Sequence, residues 1–162
     1  MLELGAKLAS FVSPGLIIYL QGDLGAGKTT LVRGFIRAFN YHNAVKSPTF
    51  TIVEPYSLDY SNLSNYNSLD DRAKLNAHDK EYLKVYHFDL YRLEDPEELE
   101  YMGIRDYLDG QAIAFIEWPE KGLGILPEAD LIIDIHYQKN HRQVECISRS
   151  EKGKQLVSNL NF

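Results

Sequence analysis

A chain of 162 residues and 18.6 kDa is large enough for one compact domain and too small for two domains with separate cores. With 44% hydrophobic and 25% charged residues, its composition is that of a folded globular protein, which excludes disordered, collagenous and coiled-coil classes. Seventeen Lys+Arg against 23 Asp+Glu leave a net charge of -6, too few cations for autonomous wrapping of DNA or RNA.

In chain order, Leu4, Leu8, Phe11 and Val12 recur at helical spacing before Pro14-Gly15, which predicts an amphipathic helix over 2–12. Leu16 to Leu20 reads as a short buried strand, followed by a glycine-rich turn and a helix from Thr29 to Asn40 with Leu31, Phe35, Ile36 and Phe39 on one face. Further strands are expected at 51–53, 84–88, 112–116, 131–135 and 143–147, the last two forming a hairpin across polar residues 138–142. Between Pro55 and Lys84 lies a polar stretch longer than an ordinary connection, read as an insertion at about 57–84. Within it, Ser68 and Asp71 are placed to cap a short helix. Asp95-Pro96-Glu97-Glu98 marks a cleaner helix start, with Gly103 as its stop. No internal repeat or linker divides the chain, so residues 1–162 are expected to form a single domain.

The lone Cys146 offers no intrachain disulfide, and Met1-Leu2-Glu3 has no basic region ahead of a long apolar run. The longest apolar stretches fall far below the roughly 18 residues of a membrane span. A cytoplasmic protein with no membrane segment is the expectation.

The chemistry concentrates at Gly22-Asp-Leu-Gly-Ala-Gly-Lys28-Thr29, which satisfies G-x-x-x-x-G-K-[ST] between an apolar strand and an amphipathic helix. Its glycines let the backbone N–H groups turn inward, and the helix N-terminus adds partial positive charge, so the loop suits an anion. Lys28 is placed to reach the β- and γ-phosphates of a nucleotide, and the Thr29 hydroxyl to ligate Mg²⁺. Such a loop also needs a carboxylate at the end of a neighbouring strand. Two qualify: Glu117 after Ala112–Ile116, and Asp89 after Val85–Phe88; periodicity leaves open which one serves the metal. Ser47-Pro-Thr-Phe-Thr51 offers three hydroxyls where other P-loop proteins place a γ-phosphate switch, and equally reads as a plain loop into a strand. Arg33, Arg37 and Lys46 read as a solvated face, and no zinc-ligand spacing occurs.

Four segments, in order, resemble the motifs of the bacterial TsaE (YjeE) family: Gly22-Asp-Leu-Gly-Ala-Gly-Lys-Thr-Thr30, Ser47-Pro-Thr-Phe-Thr51, His87-Phe-Asp-Leu-Tyr-Arg92 and Glu117-Trp-Pro119. The resemblance runs from about Leu4 to the C-terminal hairpin. It implies the small P-loop ATPase of the machinery that forms N6-threonylcarbamoyladenosine next to the anticodon of tRNAs reading codons that begin with A. The implied cofactors are ATP and Mg²⁺. The implied partners are TsaB and TsaD, TsaD carrying the transferase site, with TsaC supplying threonylcarbamoyl-adenylate and tRNA reached only through the complex. By resemblance, Gly25, Ala26, Gly27, Lys28, Thr29 and Thr30 bind the phosphates, Thr29 and Glu117 hold Mg²⁺, Asp89 lies at the catalytic end with Lys28 and Glu117, and Trp118 borders the site. Family members usually carry a strand and a short segment ahead of the first helix, and a shorter link before the His-Phe-Asp motif; this chain differs in both.

The expected fold is α/β, P-loop NTPase-like and three-layered, with a mixed sheet of central parallel strands and antiparallel edge strands. Two other functions compete with the ATPase: a small-molecule kinase and a nucleotide-dependent interaction switch. A kinase needs cationic residues on a lid, and only Arg92 and Arg105 lie between the two candidate carboxylates.

Overall fold

The computed structural model describes residues 1–62 and 82–160. In chain order its elements are α1 (Leu2–Ala9), β1 (Ile17–Gln21), α2 (Lys28–Arg37), β2 (Val53–Asp59), β3 (Tyr82–Asp89), α3 (Glu97–Tyr101), α4 (Ile104–Tyr107), β4 (Ile113–Glu117), β5 (Leu131–Gln138), β6 (His141–Ser148) and α5 (Glu151–Leu160). Single 3₁₀ turns occur at Tyr60–Asn62 and Pro119–Gly122.

The strands form one six-stranded sheet in the order β2-β3-β4-β1-β5-β6. Its four inner strands run parallel, while β2 and β6 pair antiparallel at the edges. The burial explains the placement: all five residues of β4 are buried, as an interior parallel strand covered on both faces requires. Pro55 has no N–H to donate and sits on β2, at an edge where the lost ladder bond is tolerated.

Side chains alternate across the sheet into two cores. Ile18, Leu20, Val85, Phe115 and Ile133 pack with Leu8 of α1, Leu31 and Phe35 of α2, and Leu156 and Leu160 of α5. On the opposite face Phe88, Ala114 and Ile116 pack with Leu99 of α3 and Ile104 of α4. Helices therefore cover both faces of a mixed sheet, giving the expected three-layer α/β arrangement. α1 and α2 approach closely enough that a Cβ on Gly5 would lie 2.0 Å from the Leu31 carbonyl oxygen, so only glycine lets the first helix dock there.

Several boundaries differ from the periodicity reading. The strand expected at 51–53 begins only at Val53 and continues to Asp59, because Pro48 accepts hydrogen bonds from the N–H groups of Thr51 and Ile52 and closes a turn there, with Ile52 at φ 65°. The polar stretch thus donates its ends to the sheet, as Ser57–Asp59 pair with Tyr82–Lys84. The helix expected around Ser68 and Asp71 lies outside the described residues. α1 stops at Ala9, short of residue 12. The β5–β6 hairpin turns at Lys139–Asn140, so its strands are longer than expected. α4 and α5 were not anticipated. The signal for α5 is Ser150, whose Oγ accepts from the N–H of Gly153, followed by Leu156 and Leu160 one turn apart. At α3 the expected cap is present: Asp95 accepts from the N–H of Glu97, and Glu98 accepts from the N–H groups of Asp95 and Glu94. Among the described residues no helix is long and apolar enough to cross a membrane.

Candidate functional site

The loop from Gly22 to Gly27 joins β1 to α2 at the carboxyl end of the sheet. Gly22 has φ 124°, and a Cβ there would stand 2.3 Å from the Ile135 carbonyl oxygen of β5. Gly27, at φ 114°, precedes the first residue of α2, so the free N–H groups of that turn face the loop. Lys28 is 4% exposed. Its Nζ donates to the carbonyls of Gly22 at 2.6 Å and Asp23 at 3.0 Å, and lies 4.1 Å from the centre of the Trp118 ring. Burial pushes the ammonium below the usual lysine range, against the opposing pull of Glu117, Asp89, Glu120 and Asp23.

Both candidate carboxylates stand beside this lysine. Asp89 and Glu117 are paired residues of β3 and β4, so the parallel register delivers them side by side on the face that α2 covers. Their hydrogen bonds separate them. Glu117 Oε1 accepts from Thr29 Oγ1 at 2.7 Å and lies 2.8 Å from His87 Nε2. Asp89 Oδ2 accepts from Thr49 Oγ1 and, at 3.4 Å, from Ser47 Oγ, while its Oδ1 accepts from the N–H of Tyr91 at 3.1 Å. Glu117 is thus tied to the P-loop helix, and Asp89 to the Ser47–Thr51 segment. That segment lines the cleft with Ser47 and Thr49, turns the Thr51 hydroxyl to Glu54, and leaves Phe50 82% exposed.

One cleft is lined by Gly25, Gly27, Lys28, Thr29, Thr30, Asp89, Glu117 and Trp118, all expected from the sequence, together with Leu24, Ser47, Thr49 and Tyr91. Ala26 does not line it. Its side chain is buried, and its carbonyl accepts from Arg142 Nε at 2.6 Å. Arg142, on β6, borders a neighbouring hollow with Met1, Leu2, Glu3, Gly27 and Thr30. Sequence reasoning missed Arg142, which lies 116 residues from Ala26, and nothing in its local pattern distinguishes it. It also gave no separate role to His87 or Tyr91, although both lie inside the quoted His87–Arg92 motif. Arg33, Arg37 and Lys46 are exposed, as a solvated face requires.

The donor set is two carboxylates and one hydroxyl, all hard oxygens of the kind Mg²⁺ prefers. Among the described residues no group of three or more His, Cys, Asp or Glu is placed to hold a metal by itself. A Mg²⁺ here would therefore complete its octahedron with phosphate oxygens and water. Trp118, with φ 58° and its ring 5.0 Å from that of Tyr91, forms a wall of the same cleft. Its emission is expected to change on titration with MgATP, and an unchanged spectrum under independently verified binding would place the nucleotide elsewhere.

Comparison with known proteins is consistent with this geometry. The family model described as threonylcarbamoyl adenosine biosynthesis protein TsaE matches residues 1–71 and 72–145. The tRNA threonylcarbamoyladenosine biosynthesis protein TsaE of Haemophilus influenzae is 44% identical across 98% of this chain and 89% of its own length. The protein of the same name from Bacillus subtilis is 37% identical across 80% of this chain and 68% of its own. Among solved structures, Bacillus subtilis YdiB superposes with a TM-score of 0.69 at 26% identity, covering 98% of this chain and 85% of that one.

Proposed function

This chain belongs to the TsaE family of threonylcarbamoyl adenosine biosynthesis proteins, and from that premise we propose that it binds and hydrolyses MgATP as one component of the machinery forming N6-threonylcarbamoyladenosine beside the anticodon of tRNAs that read codons beginning with A. The observation that carries the ATPase reading is the meeting of Lys28, Thr29, Asp89 and Glu117 at one end of the sheet, with Thr29 donating to Glu117. Mg²⁺, held by Thr29 and Glu117, would supply neutralisation of the phosphate charge. The chain's own groups do the rest. The loop N–H groups and the start of α2 bind the phosphates. Lys28 Nζ exchanges its carbonyl partners for phosphate oxygens. Because the Thr29 hydroxyl donates its hydrogen bond to Glu117, its oxygen lone pairs would be free to ligate the cation. Asp89, clamped by Thr49 and the N–H of Tyr91, is held where it can orient an attacking water.

The kinase alternative is less well supported. Arg105 pairs at 2.8 Å with Glu100 on an exposed surface, and the Arg92 guanidinium lies 4.2 Å from the Phe50 ring centre, so both arginines on which a lid would depend are engaged elsewhere. We propose TsaB and TsaD as partners and contact with tRNA only through them, since a charge of -6 disfavours direct binding. The decisive experiment is tRNA threonylcarbamoylation by TsaB, TsaC and TsaD with and without this chain, alongside its ATPase rate alone and with TsaB and TsaD. Sustained modification only in its presence, with hydrolysis stimulated by the two proteins, is the expected result. Unaltered modification, or fast hydrolysis indifferent to both proteins, would contradict it.

A further inference from the structure

His87 is fully buried on β3, two residues before Asp89 and paired in register with Phe115, in the layer that faces α2. Its Nε2 lies 2.8 Å from Glu117 Oε1. Among the described residues its Nδ1 has no hydrogen-bond partner. The contact of Nε2 with Glu117 is therefore the ring's one hydrogen bond to a described residue.

We infer that His87 is a positioning residue that holds the Glu117 carboxylate in the orientation a divalent cation requires; this rests on the proposed MgATP site. The directions of the bonds follow from one another. Thr29 Oγ1 donates to Glu117 Oε1, so that oxygen is an acceptor, and Nε2, facing the same oxygen, must carry a proton. Glu117 thus receives one donor from the P-loop helix and a second from beneath, within the sheet. The two differ in placement. Thr29 heads α2 and its hydroxyl would also face the cation, whereas His87 sits on β3, fully buried and away from the phosphates. With His87 removed, the Glu117 carboxylate would keep only the Thr29 hydroxyl, whose oxygen the cation would share. Outer partners of this kind orient ligating groups and influence metal affinity without touching the metal.

The test uses the full chain, with mant-ADP and Mg²⁺ as probes. In the wild type without nucleotide, nitrogen NMR should find the proton of the His87 ring on Nε2; an unprotonated Nε2 would overturn the inference. His87→Leu removes the donor, and His87→Gln offers an amide N–H near the position of Nε2. For His87→Leu the Mg²⁺ concentration giving half-maximal tightening of mant-ADP should rise about 10-fold or more, with metal-free affinity within about 2-fold of wild type, and His87→Gln should recover most of the difference. Thermal unfolding of both variants checks that the fold persists. Equal losses with and without Mg²⁺, or a glutamine variant as impaired as the leucine one, would assign His87 to packing alone. A wild-type chain that binds no MgATP would instead sink the proposed function, and the NMR measurement would still decide the hydrogen bond.

Discussion

Replacing Lys28 with alanine should lower ATP hydrolysis by at least about 10²–10³-fold while moving Tm by no more than a few degrees. The kinetic loss follows from placement. Among the groups lining the cleft, Lys28 is the cation, and its Nζ already lies over the loop that would hold the phosphates, on the carbonyls of Gly22 and Asp23. A charge-assisted contact to a transferring phosphoryl group strengthens as charge develops, so its removal appears in turnover as well as in binding. The small thermal effect follows from opposing contributions. The variant loses two hydrogen bonds and the contact with Trp118, but it also relieves the desolvation that pushes this ammonium below its ordinary range. Hydrolysis and thermal unfolding should be measured on the same preparation. Hydrolysis at the wild-type rate would remove the P-loop assignment, and a large fall in Tm would mean that the lysine is chiefly structural.

The second large effect is a contrast between the two carboxylates. Glu117→Ala should weaken nucleotide binding mainly when Mg²⁺ is present, whereas Asp89→Ala should reduce turnover more than affinity. The hydrogen bonds give the reason. Glu117 is bound to the Thr29 hydroxyl, so its loss frees the one P-loop side chain suited to the metal and leaves His87 Nε2 buried without an acceptor. Some loss of stability should accompany this, on the order of 1–3 kcal/mol for a buried donor left unpaired. Asp89 instead organises Ser47, Thr49 and the N–H of Tyr91, so Asp89→Ala should release the Ser47–Thr51 segment from the cleft wall. Nucleotide titrations with and without Mg²⁺, combined with steady-state rates, separate the roles. If the Mg²⁺-dependent loss falls on Asp89→Ala and spares Glu117→Ala, the roles are reversed.

The P-loop between β1 and α2, the parallel core of apolar strands and the α3 cap could all be read from residues close together in the chain. Their causes are local: glycine at positive φ, a two- or 3.6-residue period, and a side chain capping its own helix. The candidate site was visible to the same extent, since Gly25, Gly27, Lys28, Thr29, Thr30, Asp89, Glu117 and Trp118 each lie beside a strand end, in the loop or in the first turn of α2. What local pattern leaves open is which of these residues meet. Thr29 reaches Glu117 across 88 residues, and Arg142 reaches Ala26 across 116, because β4 and β5 flank β1 and β6 follows β5. Strand order and register decide such contacts, and a period-two pattern is the same whichever neighbour a strand takes. The extension of the edge strand β2 from Val53 to Asp59 escaped notice for a related reason: Pro55 and the polar residues after it argue against a strand until a partner is present, and β3 is that partner. His87 reads as one letter of a motif in the chain. Only burial beneath Glu117, with one ring nitrogen paired and the other not, distinguishes it from an ordinary core residue.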